Sequence, residues 1–275
     1  MAHDTSRMPM LRENIYGHRK KLLFFLEELR KRSITCQQGG MRLRVMDFGC
    51  GNGEAIGRHI AHLDIEYLGV DIHRTSLAHA HKIVCGDNVR FLESVPKNET
   101  FDMILYGDVL EHLEDPRKIV IYHSKFLSEG GCMIGAVPNG YGLFEIESAF
   151  ERRFDLYTKF QTARTWYYQQ RHKIAKWIKI NILGRGSVPS VPLDPQTPFN
   201  HDSGHIQFFR RPDVEQMLND AGLQKVHFRN GVFMGAPLSG SLLGGFTSVL
   251  DLNGKVADWL PARMVANWYF IAERG

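Results

Sequence analysis

A chain of 275 residues, 43% apolar and 23% charged, can bury one sizeable core and still have length left for an insertion or lid. The net charge of +4 hints at an anionic ligand or surface but falls short of a dedicated nucleic-acid binder, so no nucleic-acid partner is expected. Cys36, Cys50, Cys85 and Cys132 form no C-x-x-C pair, which argues against a zinc site or a disulfide framework and favours a reducing cytoplasm.

No apolar segment opens the chain, as a secretory signal would require, and no run approaches the roughly 18 apolar residues of a spanning helix. Met10 to Arg32 reads as one amphipathic helix. Ile15, Leu22, Leu23, Phe25, Leu26 and Leu29 supply its apolar stripe, and Arg19, Lys20, Lys21, Arg30, Lys31 and Arg32 are expected in solvent. The helix is expected beside the mouth of a ligand site as part of a cap over residues 1–40, with Tyr16 and His18 within reach of a substrate.

A short apolar run from Leu43 ends in V-M-D-F-G-C-G-N-G-E, residues 45–54. The pattern is a strand, a tight turn and a helix start. Gly49, Gly51 and Gly53 allow left-handed backbone and close approach of a ligand, and the helix expected over Glu54 to Leu63 turns its free N–H groups toward them. The dinucleotide fingerprint G-x-G-x-x-G counted from Gly49 would need glycine at position 54, where Glu54 stands. The next apolar run, E-Y-L-G-V-D-I, ends with Asp71 about 20 residues beyond the turn, where a carboxylate can accept both ribose hydroxyls of a nucleoside.

Glycines at alternate positions after Asp47, D-x-G-x-G-x-G, resemble the first motif of the class I S-adenosylmethionine-dependent methyltransferases. That resemblance implies a Rossmann-like, doubly wound α/β fold: a seven-stranded sheet, mostly parallel with an antiparallel last strand. It implies S-adenosylmethionine as cofactor, S-adenosylhomocysteine as product, and cofactor contacts from Asp47, Gly49, Cys50, Gly51, Asn52, Gly53, Asp71 and Ile72. A helix near Thr75 to Ile83 and a third strand, N-V-R-F-L-E, follow. Glu93 and Ser94 occupy the level of the adenine if that strand ends at Glu93, whereas Asp87 competes if the strand ends at I-V-C-G-D.

F-D-M-I-L-Y-G-D-V-L-E-H-L-E-D, residues 101–115, gives a fourth strand running into a turn, with Gly107, Asp108 and Val109 at the same sheet edge as the glycines. Its D-V-L-E-H segment resembles O-methyltransferases of ubiquinone biosynthesis and of bacterial glycan and natural-product pathways. His112 is either a catalytic contact or a packing residue beneath the cofactor. A helix over Ile119 to Leu127 is expected to stop at S-E-G-G with Gly130 as its C-cap, ahead of a fifth strand, Cys132 to Val137. P-N-G-Y-G then turns at the carboxyl end of that strand, where Asn139 and Tyr141 are candidate substrate contacts. The cofactor-binding core is thus 41–142.

Residues 143–200 break the pattern. Phe150 to Ile182 interleaves aromatic residues, Trp166 and Tyr167 among them, with arginine and lysine, and Gly184 to Pro198 holds four prolines. A helical lid over the acceptor, a helix touching anionic membrane, and surface padding or a dimer contact compete for this segment. Then come His201, Asp202 and His205; Trp166, Tyr167 and His201 are candidate substrate contacts. The spacing of the two histidines would suit metal ligands on a helix, but Gly204 between them and Pro198 upstream argue against helix, so no metal is expected. G-H-I-Q-F-F resembles the G-H-x-x-x-F segment of the same O-methyltransferases, in which His205 faces the acceptor. An imidazole titrating near 6.5 suits a general base, with Asp202 orienting it; anchoring the loop is the other role open to His205.

A helix over Arg211 to Ala221, strands over Gln224 to Arg229 and Val265 to Ala272, and an apolar G-S-L-L-G-G-F piece between them complete the core across 201–275. The expected reaction is methyl transfer to a hydroxyl of a small-molecule, sugar or lipid-linked acceptor. N- or C-methylation, or cofactor binding without catalysis, are the alternatives. The expected assembly is a monomer or homodimer, cytoplasmic, with contact to anionic membrane left open.

Overall fold

The computed structural model describes residues 13–142, 205–235 and 246–275, together with Arg153 and Ser239. Trp166, Tyr167, His201, Asp202 and the insertion at 143–200 otherwise lie outside the described residues. Seven strands form one sheet: β1 (Leu43–Phe48), β2 (Ile65–Val70), β3 (Val89–Leu92), β4 (Phe101–Gly107), β5 (Leu127–Pro138), β6 (Leu223–Asn230) and β7 (Asn267–Arg274). Their order is β3-β2-β1-β4-β5-β7-β6. β7 pairs antiparallel with both β5 and β6, while β1 to β5 run parallel. This is the expected Rossmann-like fold.

Central strands covered on both faces must be apolar on both. Val45, Met46, Met103, Ile104 and Leu105 are accordingly fully buried. One face is closed by α1 (His18–Gln38), α2 (Gly57–Ile60) and α3 (Arg74–Ile83), through Phe25, Leu29, Ile60, Leu77 and Ala80. The other is closed by α4 (Pro116–Ser124), α5 (Arg211–Asp220) and α6 (Thr247–Trp259), through Val120, Val214, Leu218 and Ala257. Phe25 and Leu29 are wholly buried, and each contributes roughly 2 to 3 kcal/mol of hydrophobic stabilisation.

Helix α1 begins at His18 rather than Met10, because upstream side chains satisfy its first N–H groups. Asn14 Oδ1 accepts from the His18 N–H at 3.1 Å, and the Glu13 carboxylate accepts from Arg19 at 3.1 Å and Lys20 at 3.0 Å. Lys21 is not in solvent: it is 4% exposed, on the face that carries Phe25 and Leu29.

The helix expected over Glu54 to Leu63 shrinks to the single turn of α2. Asn52 is buried and its Oδ1 accepts from the Glu54 N–H at 3.2 Å, a local turn that competes with helix immediately after the glycines. Helix α4 stops at Ser124, not Leu127, and Gly130 is not its cap. Leu127 already pairs with Phe101, and the S-E-G-G residues form an irregularity at the start of β5, where Gly130 has φ +69°.

Candidate functional site

The carboxyl ends of β1, β2, β4 and β5 converge on one edge of the sheet, the usual ligand crevice of a doubly wound fold. At the end of β1, Gly49, Gly51 and Gly53 have φ of +74°, +55° and +77°. Each has a separate reason to lack a side chain. A Cβ on Gly49 would overlap Val109, and one on Gly53 would lie 2.9 Å from Val84 of the α3 region, whereas one on Gly51 would meet no atom of the described residues within 4 Å. Gly51 therefore faces an open cradle. The turn is pinned to the neighbouring strand: the N–H groups of Gly49 and Cys50 both donate to the Val70 carbonyl, at 2.8 and 3.1 Å.

Asp71 stands at the end of β2. Its carboxylate accepts from the Gly51 N–H and from the His73 N–H, each at 2.8 Å, which fixes its orientation beside the cradle. β3 runs to Leu92, and the Asp71 N–H donates to the Leu92 carbonyl at 3.2 Å. That register puts Glu93 and Ser94 at the ligand edge and Asp87 at the opposite end of the strand. Glu93 is paired with Arg74 at 2.9 Å.

Asp47 is 1% exposed. Its Oδ2 accepts from the Tyr67 hydroxyl at 2.7 Å, while its Oδ1 has no hydrogen-bond partner among the described residues. Burial raises its carboxyl to about 6, against the opposing pull of the Tyr67 hydrogen bond and the Lys21 ammonium. A buried carboxylate oxygen aimed at no protein donor, next to a turn shaped for a ligand, fits a cationic group arriving from outside.

Lys21, expected in solvent, is instead buried at this edge of the sheet. Its ammonium reaches from α1 to the Asp108 carboxylate just past β4. Burial raises the Asp108 carboxyl, but the Lys21 charge, aided by His18 and His205, more than offsets this and holds it below the usual range. Spacing carried the signal: Lys21 lies four residues before Phe25 and eight before Leu29, so it had to share their buried stripe.

The remaining candidates divide. Val109 packs on Gly49, and a Cβ on Gly107 would overlap Ile56, so both shape the crevice by fit. Cys50 is buried, and burial pushes its thiol up. Ile72 is 88% exposed, so it touches a ligand only from the rim. Asn139, read as a substrate contact, is 3% exposed and spends its amide on the carbonyls of Arg263 at 3.1 Å and Val265 at 2.8 Å; it holds the turn after β5 instead. Tyr141 is exposed beneath the Arg210 guanidinium at 4.5 Å, and Tyr16 stacks on His18 with ring centroids 5.9 Å apart.

His112 and His205 are 93 positions apart in the sequence, yet their ring centroids lie 5.2 Å apart. The Glu111 carbonyl accepts from the N–H groups of Ile206 and Gln207, at 3.0 and 3.1 Å, and the Gln207 amide donates to the carbonyls of Leu113 and Glu114. The segment carrying His205 is thereby clasped to the 3₁₀ turn Leu110–His112. Glu111 joins the two histidines in one cluster and was not among the expected residues.

Residues 10–228 match the model of a methyltransferase domain. The chain belongs to the class I S-adenosylmethionine-dependent methyltransferases. It is 28% identical over 118 residues to a ubiquinone biosynthesis O-methyltransferase of Rhodopseudomonas palustris (strain TIE-1), covering 41% of this chain and 45% of that one. A protein of the same description from Psychrobacter arcticus is 30% identical over 128 residues, 42% of this chain and 49% of that one. The chain thus matches under half the length of these curated relatives. Among solved structures, a methyltransferase from Clostridium acetobutylicum aligns with TM-score 0.51 at 11% identity, covering 94% of this chain and 92% of that one. The [4+2]-cyclase SpnF aligns at TM-score 0.50 and 13% identity, covering 90% and 79%. Both establish the fold.

The cofactor is S-adenosylmethionine, and the residues present fit it. The open cradle at Gly51 admits the ligand against the backbone, Asp71 offers acceptors for ribose hydroxyls, and the unpartnered oxygen of Asp47 suits the cationic amino-acid end. Titration with S-adenosylhomocysteine should give saturable binding, and NADH none. Asp71→Ala should weaken the former about thirtyfold or more, the effect of losing charge-assisted hydrogen bonds worth ~2 kcal/mol. Undiminished affinity in that variant would remove Asp71 from the site.

Proposed function

We propose that the chain transfers a methyl group from S-adenosylmethionine to a hydroxyl of a small-molecule acceptor. The observation that carries this reading is the placement of His205 against His112 on the turn that leaves β4, the strand whose carboxyl end shares the ligand edge with the glycine turn. The names of the matched relatives, O-methyltransferases of ubiquinone biosynthesis, support a hydroxyl acceptor.

Bound cofactor supplies a methyl carbon made electrophilic by a sulfonium. The residues of the chain hold the two reactants in line and receive the hydroxyl proton. His205 is the residue proposed to take that proton, a reading supported by the backbone clasp that ties its segment to Glu111. Residues 143–200 are proposed to cover the acceptor. The Gly140 N–H donates to the Phe209 carbonyl at 2.9 Å, so the stretches on either side of the insertion meet at this edge. Among the described residues no helix is long and apolar enough to cross a membrane.

The test is methyl transfer from labelled S-adenosylmethionine to a panel of phenols, sugars and other alcohols, run beside amines and carbon acids. Labelled ether products are expected. With the best acceptor, His205→Ala should lower kcat about a hundredfold or more, the usual loss when a general base is removed. Transfer only to nitrogen or carbon acceptors would overturn the hydroxyl assignment, and a kcat near wild type in His205→Ala would overturn the role of His205.

A further inference from the structure

We propose that the buried pair of Lys21 and Asp108 sets how strongly the site prefers the methyl donor over the demethylated product. S-adenosylmethionine and S-adenosylhomocysteine differ by one positive charge, the sulfonium. A fixed charge beside their common seat therefore acts on the first and not on the second. The inference rests on the cofactor assignment alone and holds whichever atom of the acceptor is methylated.

The pair is built into the seat. Asp108 is the first residue past β4, and its neighbour Val109 packs on Gly49 of the glycine turn. Asp108 has φ of +59°, one of two non-glycine residues with left-handed backbone among the described residues. Such a conformation persists where the surroundings over-determine it. Lys21 supplies the constraint: it is 4% exposed, crosses from α1 and pairs its ammonium with the Asp108 carboxylate. Helix α1 is itself held by Lys20, whose ammonium donates to the Gly231 and Gly254 carbonyls at 2.7 and 2.8 Å and pairs with Asp258 at 2.6 Å. Lys20 thus fastens the helix to the C-terminal part of the core, and Lys21 delivers a cation to the crevice.

Three carboxylates, Asp47, Asp71 and Asp108, stand at the carboxyl ends of β1, β2 and β4. Lys21 acts on two of them. It pairs with Asp108, and together with the Tyr67 hydrogen bond it opposes the rise that burial imposes on the Asp47 carboxyl. Three carboxylates and one ammonium leave this edge net negative, which favours the ligand that carries the sulfonium. The ammonium and carboxylate of the amino-acid end are common to both ligands and cancel from the comparison. Methyl transfer removes the sulfonium charge, because the electron pair of the broken carbon–sulfur bond stays with sulfur, so the hold on the product is weaker. Lys21 keeps the preference within bounds. An Asp108 carboxylate without its cation would stabilise the sulfonium more in the ground state than in the transition state, where that charge is already fading, and the barrier would rise.

The experiment is calorimetric titration of the full chain at pH 8 with S-adenosylmethionine and, separately, with S-adenosylhomocysteine. The quantity read is the ratio of product Kd to cofactor Kd, from which any loss of affinity common to both ligands cancels. Asp108→Asn should lower this ratio about fivefold and Lys21→Met should raise it about fivefold, the effect of a unit charge ~10 Å from the ligand at an effective dielectric constant of about 30. The double variant, neutral again, should return to within about twofold of wild type. Thermal melts show which variants are folded, and Asp108→Ser and Lys21→Gln make the same charge changes if one of the first pair is not. A ratio unmoved in either folded single variant, or moved the same way in both, overturns the role of the pair and leaves the methyltransferase assignment standing. Failure of the folded wild-type protein to bind either ligand would overturn the cofactor assignment, and this inference with it.

Discussion

Gly49→Ala should destabilise the protein by about 3 kcal/mol or more, whereas Gly51→Ala should cost only ~1 kcal/mol and yet abolish measurable cofactor affinity. Both glycines have left-handed φ, +74° and +55°, so each substitution carries ~1 kcal/mol of backbone strain. They differ in what the new methyl meets. At Gly49 it overlaps the Val109 side chain, whose Cβ lies 2.9 Å away, in a spot where overpacking adds roughly 1 to 3 kcal/mol. At Gly51 it meets no atom of the described residues within 4 Å, so the fold should tolerate it while a ligand seated on the turn should collide with it. Thermal melts and S-adenosylhomocysteine titrations on both variants check the pair. A Gly51→Ala protein that binds the cofactor normally would show that the cradle is not the ligand seat.

Asp47→Asn should stabilise the ligand-free protein, and only at higher pH. The Asp47 carboxyl titrates near 4 in the unfolded chain, and burial foremost lifts it to about 6 in the fold. Below pH 4 both states hold the proton and the group costs nothing. Between 4 and 6 the unfolded chain releases its proton while the folded one keeps it, so stability falls as pH rises. Above 6 the full penalty applies, about 2 to 3 kcal/mol for two pK units in a fully buried group. Asparagine never ionises and still accepts from Tyr67, whose hydroxyl donates to Oδ2 at 2.7 Å. The variant should therefore melt several degrees higher than wild type at pH 8 and equally at pH 4. Its cofactor affinity should fall about tenfold or more, because the unpartnered Oδ1 loses the charge that suits a cationic group. Equal melting at both pH values would show that Asp47 is not ionised at a cost in the fold.

The sequence by itself determined what depends on local pattern. Asp47, the three glycines and Asp71 were legible because a strand end, a left-handed turn and a second strand end are each written in a few adjacent residues. The strand sequence followed from apolar runs of the right length, and the antiparallel last strand came with the family resemblance. Element ends were less legible, since they depend on which side chain captures a free N–H. Glu13 and Asn14 moved the start of α1 to His18, and Asn52 shortened the helix after the glycines.

Only the tertiary structure decided the groupings that join distant segments. Lys21 looked like one cation in a basic run until packing of the α1 stripe forced it inward against Asp108. Asn139 looked like a substrate contact until its amide proved to be spent on the Arg263 and Val265 carbonyls. His205 met His112 and Glu111 because backbone hydrogen bonds clasp two segments about 90 residues apart. No short-range pattern records such a meeting. It exists only once parallel strands carry both turns to the same edge of the sheet, where their side chains share one small volume.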